Sequence, residues 1–215
     1  MNKSNIIITI DRQSGSGGKE IGERLSEKLK FSYYDDEIVR EAAKDLKTSV
    51  EEMESYDEKQ DGIWKNILSY SEHGNLSSFS NVEIITDDKA HKAESNVIIK
   101  VANEKSAVII GRAASYILRN HPRHVSIFLH ADVDYRKKRT RESYNISGDE
   151  ALHLNEKIDK QRLKYYKVFT ETDMYNACIY DLSINTSELG LEKSETLIME
   201  YIKERFGDEL LKAIM

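Results

Sequence analysis

Small residues separate an apolar run from a charged, helical pattern near the start of the chain. The run at 6–10 is β-branched, the loop at 15–19 reads GSGGK, and apolar residues recur at helical spacing over 19–29. A strand, a glycine-rich turn and a helix N-terminus direct several backbone N–H groups, and the positive end of the helix dipole, towards one point. Glycine is favoured there because a Cβ would block close approach and positive φ angles. The stretch therefore predicts a loop that holds phosphate groups.

The loop departs from the usual phosphate-binding sequence G-x-x-x-x-G-K-[ST], and two registers are open. Pairing Gly18 and Lys19 with the Gly-Lys of that sequence leaves Gln13 at the first glycine and Glu20 at the hydroxyl that binds Mg²⁺. Counting from the end of the strand instead puts Gly18 at the lysine position. One element is missing in either register. Lys19 can still bring a cation close to the β- and γ-phosphates.

A nucleotide would be held by seven consecutive residues of this loop. They are Ser14, Gly15, Ser16, Gly17, Gly18, Lys19 and Glu20. The ligand for Mg²⁺ is open between Ser14, Ser16 and water alone. A glycine-rich turn in an unrelated α/β protein is the alternative interpretation.

The rest of the chain supplies elements that could position such a loop. Strands are predicted at 6–10, 31–34, 107–112, 124–131 and within 179–187. Helices are predicted at 19–29, 37–46, 50–56, 95–103, 113–119, 132–142, 147–166 and 189–206. This alternation predicts an α/β fold in which a parallel sheet of about five strands is flanked by helices. The polar segment at about 57–94 is interpreted as an insert rather than core.

Composition limits the classes of protein to consider. The 215 residues suit one α/β domain with an insert, and the net charge of -6 argues against non-specific nucleic-acid binding. Cys178 is the one cysteine, which excludes an internal disulfide and a cysteine-based metal cluster. No run approaches the roughly 20 apolar residues of a membrane span, and the N-terminus lacks a secretory signal. A cytoplasmic protein without a membrane partner is expected.

Six stretches in chain order carry a resemblance to a known family. They are ITIDRQSGSGGKEIGERLSEKL, FSYYDDEIV, VIIGRAASYILRNHP, VSIFLHADVDYRKKR, IDKQRLKYYKVFT and YDLSINTSELGLE. Together they resemble the cytidylate-kinase-like family of P-loop nucleoside monophosphate kinases. The resemblance implies phosphoryl transfer from ATP, with Mg²⁺, to a nucleoside monophosphate, CMP or dCMP foremost. It also implies one P-loop kinase domain over 1–215, with an acceptor-binding insert around 35–94 and a helical lid around 136–166.

The resemblance assigns two positions to the acceptor. Arg112 ends a predicted strand, where its guanidinium could fork onto the acceptor phosphate. The family's Gly-Arg-Asp has Ala113 in place of the aspartate here, which removes a carboxylate from base recognition. Asp35 matches the aspartate of the family's Tyr-Asp near the acceptor pocket. A surface ion pair for Arg112 and a helix cap for Asp35 are the alternatives.

The lid would begin in the basic stretch that contains Arg136 and Arg139, which lie on one helical face. Asp159 and Arg162, three residues apart, match the family's Asp-x-x-Arg pair. The resemblance implies a role in substrate binding for Asp159. It implies a role in catalysis for Lys19, Arg139 and Arg162. A lid arginine would neutralise charge that develops in the transition state. A local helix ion pair is the alternative for Asp159 and Arg162.

Three other functions stay open at this stage. A P-loop kinase of the same architecture could act on another small hydroxyl or phosphate acceptor. A regulatory protein could bind nucleotide with little turnover, as the missing Ser or Thr after the lysine suggests. A nucleic-acid-binding protein is the weakest alternative because the charge is acidic and no such module is recognised. Oligomeric state is open.

Overall fold

Five parallel strands form the sheet at the centre of the protein. The computed structural model describes residues 5–45, 88–207 and 210. The strands are β1 (Ile7–Arg12), β2 (Ser32–Tyr34), β3 (Ala107–Ile110), β4 (His124–His130) and β5 (Leu182–Asn185). Their order across the sheet is β2-β3-β1-β4-β5. Ile7 of the central strand pairs with Ala107 on one side and with His124 on the other. The glycine-rich loop therefore leaves the middle of the sheet.

Helices connect the strands and cover both faces of the sheet. They are α1 (Gly18–Leu29), α2 (Glu37–Asp45), α3 (Asp88–Glu104), α4 (Ala114–Ile117), α5 (Val133–Tyr144), α6 (Gly148–Thr170) and α7 (Thr186–Phe206). A 3-10 turn, Ala177–Ile179, precedes β5. No helix in the described ranges combines the length and apolar character that crossing a membrane requires. The predicted α/β fold with about five parallel strands is confirmed.

The unalternating apolar run of β1 is explained by burial on both faces of the sheet. Ile6, Ile8 and Ile10 lie in a core with residues of α1 and α7. Ile7 points to the other face, into a core with residues of α2, α3 and α4. All four isoleucines are fully buried. The central strand is thereby fixed between two apolar layers, and the loop at its carboxyl end starts from a rigid support.

Among the boundaries that differ from the sequence predictions, two lie close to the site. The strand predicted at 107–112 ends at Ile110, because Gly111, Arg112 and Ala113 all have positive φ angles, which strands do not accommodate. Helix α3 begins at Asp88 rather than at residue 95. The helix predicted at 50–56 and the part of the polar segment at 57–87 lie outside the described residues.

The described end of the polar segment packs in the core, where the sequence analysis did not place it. Ala93 and Glu94 are 5% and 0% exposed. Ala93 packs with Ile38 of α2 in the apolar layer on that face of the sheet. The Glu94 carboxylate lies 3.8 Å from the guanidinium of Arg112. The Glu94 carboxylate is tolerated in this core because it has a cation beside it and accepts a hydrogen bond from the Tyr165 hydroxyl at 2.8 Å.

Acidification is expected to destabilise the protein through His124. This histidine is buried and lies 2.7 Å from the Thr9 hydroxyl, and burial lowers its pKa from 6.5 to about 4. Between those values the unfolded chain binds the proton and the folded protein does not, so stability falls as pH drops. Relative to His124→Gln, the wild type should lose up to about 3 kcal/mol of unfolding free energy between about pH 7 and pH 4. Urea unfolding at a series of pH values measures this loss. The prediction is wrong if the unfolding free energies of the wild type and of His124→Gln depend on pH in the same way.

Candidate active site

The glycine-rich loop leaves β1 and enters α1 in a conformation that requires glycine at two positions. Gly15 and Gly17 have φ angles of 77° and 87°. A Cβ on Gly15 would lie 2.7 Å from the carbonyl oxygen of Arg136 in α5, and one on Gly17 would collide with the Leu191 side chain in α7. Both the backbone angles and the lack of space exclude a side chain. The loop is held between two helices.

Ser16 shapes the loop from inside. Its side chain is fully buried, and its hydroxyl donates a hydrogen bond to the carbonyl of Gln13 at 2.8 Å. The carbonyl of Ser16 accepts a hydrogen bond from the Thr186 hydroxyl, also at 2.8 Å. Because these bonds are internal, the hydroxyl of Ser16 favours a structural role over contact with a bound metal.

A cavity of about 320 Å³ opens above the loop. Nine of the residues predicted to form the site line it: Ser14, Gly15, Gly17, Gly18, Lys19, Glu20, Asp35, Arg139 and Arg162. Residues that were not assigned to the site also contribute, among them Arg12, Asp36, Thr140, Ser143 and Tyr144. We call this space the loop cavity. Its glycine loop, cations and carboxylates suit a polyphosphate with a divalent cation.

The Asp159 carboxylate contacts the loop itself. One of its oxygens accepts a hydrogen bond from the Ser14 amide at 2.6 Å, and the other accepts from Arg136 at 2.7 Å. The same guanidinium donates to the Ser14 carbonyl at 3.1 Å. Burial raises the pKa of Asp159, while the Ser14 amide and the neighbouring arginines oppose that shift. A carboxylate therefore occupies one amide of the loop, where a phosphate oxygen is expected.

Lys19 and Glu20, on the first turn of α1, face different partners. Arg139 of α5 forms an ion pair with Glu20 at 2.5 Å, which ties α5 to α1. Lys19 is exposed on the wall of the loop cavity. Burial and the adjacent Asp35 raise the pKa of Asp36, and Lys19 is among the cations that act in the opposite direction.

Arg162 of α6 lies against the carboxyl end of the central strand. It donates a hydrogen bond to the carbonyl of Arg12 at 3.2 Å and lies 4.0 Å from Asp159. Burial, with the like charge of Arg12, lowers the pKa of Arg162 to about 9. The guanidinium therefore stays charged at neutral pH, at a position where it can meet an anion above the loop.

Arg112 lies beside a second cavity, of about 70 Å³, next to the first. Its side chain is 7% exposed, and its guanidinium lies 3.9 Å from Asp36 and 3.8 Å from Glu94. The backbone of Arg112 has a φ of 60°, a conformation that costs a non-glycine residue energy. We call this space the Arg112 cavity. Two carboxylates and a constrained turn hold its arginine in place.

Sequence reasoning placed the loop and the lid arginines but missed several residues of the site. Asp11 and Arg12 end the central strand, and that position was the signal which could have identified them. The Asp11 carboxylate accepts a hydrogen bond from the Ser115 hydroxyl, and burial raises its pKa. Arg136 shares a helical face with Arg139, yet nothing in the sequence indicated its burial. Glu94 carried no signal because it ends a polar segment.

A divalent cation would not find a ready-made protein cage in the described ranges. There, no three His, Cys, Asp or Glu side chains are arranged to hold a metal ion. Mg²⁺ usually keeps several waters and takes one or two carboxylates together with substrate phosphates. Asp35 and Asp36 on the wall of the loop cavity fit that mode of binding.

Comparisons with known proteins agree with this architecture. A cytidylate kinase of Thermococcus kodakarensis is 28% identical over 191 residues, which cover 88% of this chain and 84% of the relative. A cytidylate kinase of Methanococcus vannielii is 28% identical over 204 residues, which cover 92% of this chain and 100% of the relative.

Solved structures show the same fold. An uncharacterized protein of Eubacterium ventriosum is 26% identical, with a TM-score of 0.69 over 93% of this chain and 99% of that one. A shikimate kinase of Bacteroides thetaiotaomicron is 15% identical, with a TM-score of 0.52 over 92% of this chain and 98% of that one. At this identity the likeness shows the fold alone. The cytidylate kinase-like family matches residues 7–188. The chain belongs to the cytidylate kinase-like family, and its fold is that of a P-loop kinase.

Proposed function

We propose that this protein, a kinase-like phosphotransferase by family, transfers the γ-phosphoryl group of ATP to a nucleoside monophosphate, CMP or dCMP foremost. The observation that carries the proposal is the adjacency of two cavities. The loop cavity has a glycine-rich floor, and the Arg112 cavity shares with it four residues: Arg12, Ile158, Gln161 and Arg162. A donor phosphate in the first and an acceptor phosphate in the second would meet beside these shared arginines.

The donor side is proposed to be the loop 14–20. Gly15 and Gly17 let the loop follow its positive-φ path between α5 and α7, where a side chain would collide with Arg136 or Leu191. Lys19 adds a cation on the wall of the cavity, and Glu20 holds Arg139 of the lid nearby. When bound, Mg²⁺ would neutralise charge on the β- and γ-phosphates, with Asp35 and Asp36 as its protein carboxylates.

The acceptor side is proposed to centre on Arg112, with Asp35 close to the sugar or base. A guanidinium can bind two oxygens of one phosphate, which fixes the angle at which the acceptor approaches. The acceptor-binding insert around 35–94 and the lid around 136–166 remain proposals about domain organisation. In the lid, Arg136 and Asp159 link α5 to α6, and Arg139 and Arg162 line the loop cavity.

The chemistry requires orientation and neutralisation of charge more than it requires an acid or a base. An oxygen of the ionised acceptor phosphate forms a bond to the γ-phosphorus. The bond from that phosphorus to the β–γ bridging oxygen breaks, and ADP keeps the electron pair. A monophosphate dianion is already deprotonated, so no side chain has to remove a proton. The arginines stabilise the charge that spreads over the transferring group.

A hydroxyl acceptor is the second candidate, and the Asp35–Asp36 pair is the observation that favours it. A hydroxyl must lose its proton during transfer, and a carboxyl with a raised pKa can accept it. Burial and Asp35 raise the pKa of Asp36, which lines the loop cavity beside Arg112. A regulatory protein with little turnover is the third candidate, because Asp159 already occupies the Ser14 amide.

The test is ADP formation from ATP and Mg²⁺ with CMP, dCMP, UMP, AMP and small hydroxyl acceptors in parallel. We expect CMP or dCMP to exceed the other acceptors by at least about tenfold in kcat/KM, and excess EDTA to abolish turnover. A hydroxyl compound as the best acceptor would select the second candidate. ATP binding without phosphoryl transfer to any acceptor would select the regulatory protein. The cytoplasm, which supplies ATP and nucleoside monophosphates, is the compartment proposed for this reaction.

A further inference from the structure

We propose that Arg12 supplies the cation that the phosphate loop lacks at Gly18, and that its guanidinium contacts the phosphoryl group between donor and acceptor. This inference rests on the proposed phosphoryl transfer and adds a residue to it. Arg12 is the last residue of the central strand, and Gly18 is the first residue of α1. In the register counted from the strand end, Gly18 stands where the usual loop has its lysine, and Arg12 stands at the first glycine.

The stem of Arg12 fills the space that a side chain at position 18 would need. A Cβ built on Gly18 would lie 2.8 Å from Cγ of Arg12, 3.0 Å from its Cβ and 3.4 Å from its Cδ. These are the three nearest atoms, and all belong to Arg12. A lysine at position 18 and Arg12 in its present position therefore exclude each other. The loop contains the arginine and lacks the lysine.

The head of Arg12 extends to the acceptor side of the site. A Cβ on Gly111 would collide with a terminal nitrogen of the Arg12 guanidinium, so that group lies directly against the turn that carries Arg112. Arg12 lines both the loop cavity and the Arg112 cavity. Its side chain thus crosses the junction at which the transferring group would pass, and two glycines provide the room for it.

The charges around Arg12 include a second cation as well as a carboxylate. Asp35 forms an ion pair with Arg12 at 3.7 Å, and Arg162 is close enough for the like charge of Arg12 to lower its pKa. Two neighbouring guanidinium groups at the edge of a cavity repel each other until an anion lies between them. A phosphoryl group with developing negative charge is such an anion, and its presence would remove the repulsion.

The test removes the cation at position 12 and introduces one at position 18, separately and together. Arg12→Ala should lower kcat by about 10- to 100-fold with little change in either KM, because the lost contacts form to the transferring group. Gly18→Lys alone should also be impaired, because it collides with Arg12. The double variant Arg12→Ala/Gly18→Lys should recover at least about tenfold over Arg12→Ala. Arg119→Ala, which removes an exposed arginine outside both cavities, is the control.

Thermal unfolding of each variant separates loss of fold from loss of turnover, and Arg12→Lys supplies a second variant that keeps the charge. Arg12→Ala with kcat within about threefold of the wild type, or a folded double variant no better than Arg12→Ala, would overturn the role of Arg12. A wild type that transfers phosphate to no acceptor would instead refute the proposed function. In that case calorimetric titration with tripolyphosphate decides the matter, since unchanged affinity in Arg12→Ala would refute the anion contact as well.

Discussion

Arg162→Ala is expected to lower kcat for phosphoryl transfer by about 10³-fold while the KM for ATP changes little. The guanidinium lies above the loop, between the Arg12 carbonyl and the Asp159 carboxylate, and it lines both cavities. Charge builds up on the transferring group only as the bond to ADP breaks, so a cation placed there stabilises the transition state more than either bound substrate. Steady-state kinetics with ATP and the best acceptor measures the loss.

The control for Arg162 lies on the same helix. Lys160 is exposed and contributes to neither cavity, so Lys160→Ala removes a positive charge from α6 without touching the site. Its kcat should stay within about twofold of the wild type. If Arg162→Ala raised the KM for ATP and left kcat unchanged, the residue would bind nucleotide uniformly instead of stabilising the transition state.

Arg112→Ala is expected to raise the KM for the acceptor by about 100-fold and to leave ATP binding nearly intact. The side chain is almost fully buried beside the smaller cavity, so its phosphate contact would be shielded from water. ATP would bind on the other side of the junction, in the loop cavity, which Arg112 does not line. Acceptor KM, together with calorimetric titration of ATP, separates the two effects. A collapse of ATP affinity would show that the acceptor assignment is wrong.

Loss of Arg112 also has a structural cost that must be measured separately. Burial raises the pKa of Glu94, and the positive charge of Arg112 limits that rise. Without the arginine, ionised Glu94 is disfavoured further in the folded protein, so Arg112→Ala should be less stable at about pH 8 and should regain stability on acidification. The exposed Arg119, in the turn that follows α4, gives the matched control, since Arg119→Ala should show no such dependence.

The sequence predicted the parts of the site that follow from backbone requirements. A loop that presents amides to phosphate needs positive φ angles and close approach, so glycines at 15 and 17 could be identified without coordinates. A strand buried on both faces is uniformly apolar, so β1 and the place where its loop emerges were equally clear. The lid arginines followed from the family resemblance rather than from spacing alone.

Contacts between segments that are distant in the chain could not be predicted from the sequence. Ser14 and Asp159 are 145 positions apart, and their hydrogen bond depends on how α6 crosses the end of the sheet. The orientation of Arg12 depends on the absence of a side chain at Gly111, a position in a different strand-to-helix turn. Glu94 ends a polar segment, and its buried carboxylate is compensated by two distant residues, Arg112 and Tyr165. Each of these depends on a tertiary partner that local patterns do not reveal.

The carboxylate of Asp159 joins three elements at one buried point. One of its oxygens holds the Ser14 amide of the loop, and the other holds Arg136 of α5, while Asp159 itself belongs to α6. A change in the packing of either helix would therefore be transmitted directly to the loop backbone.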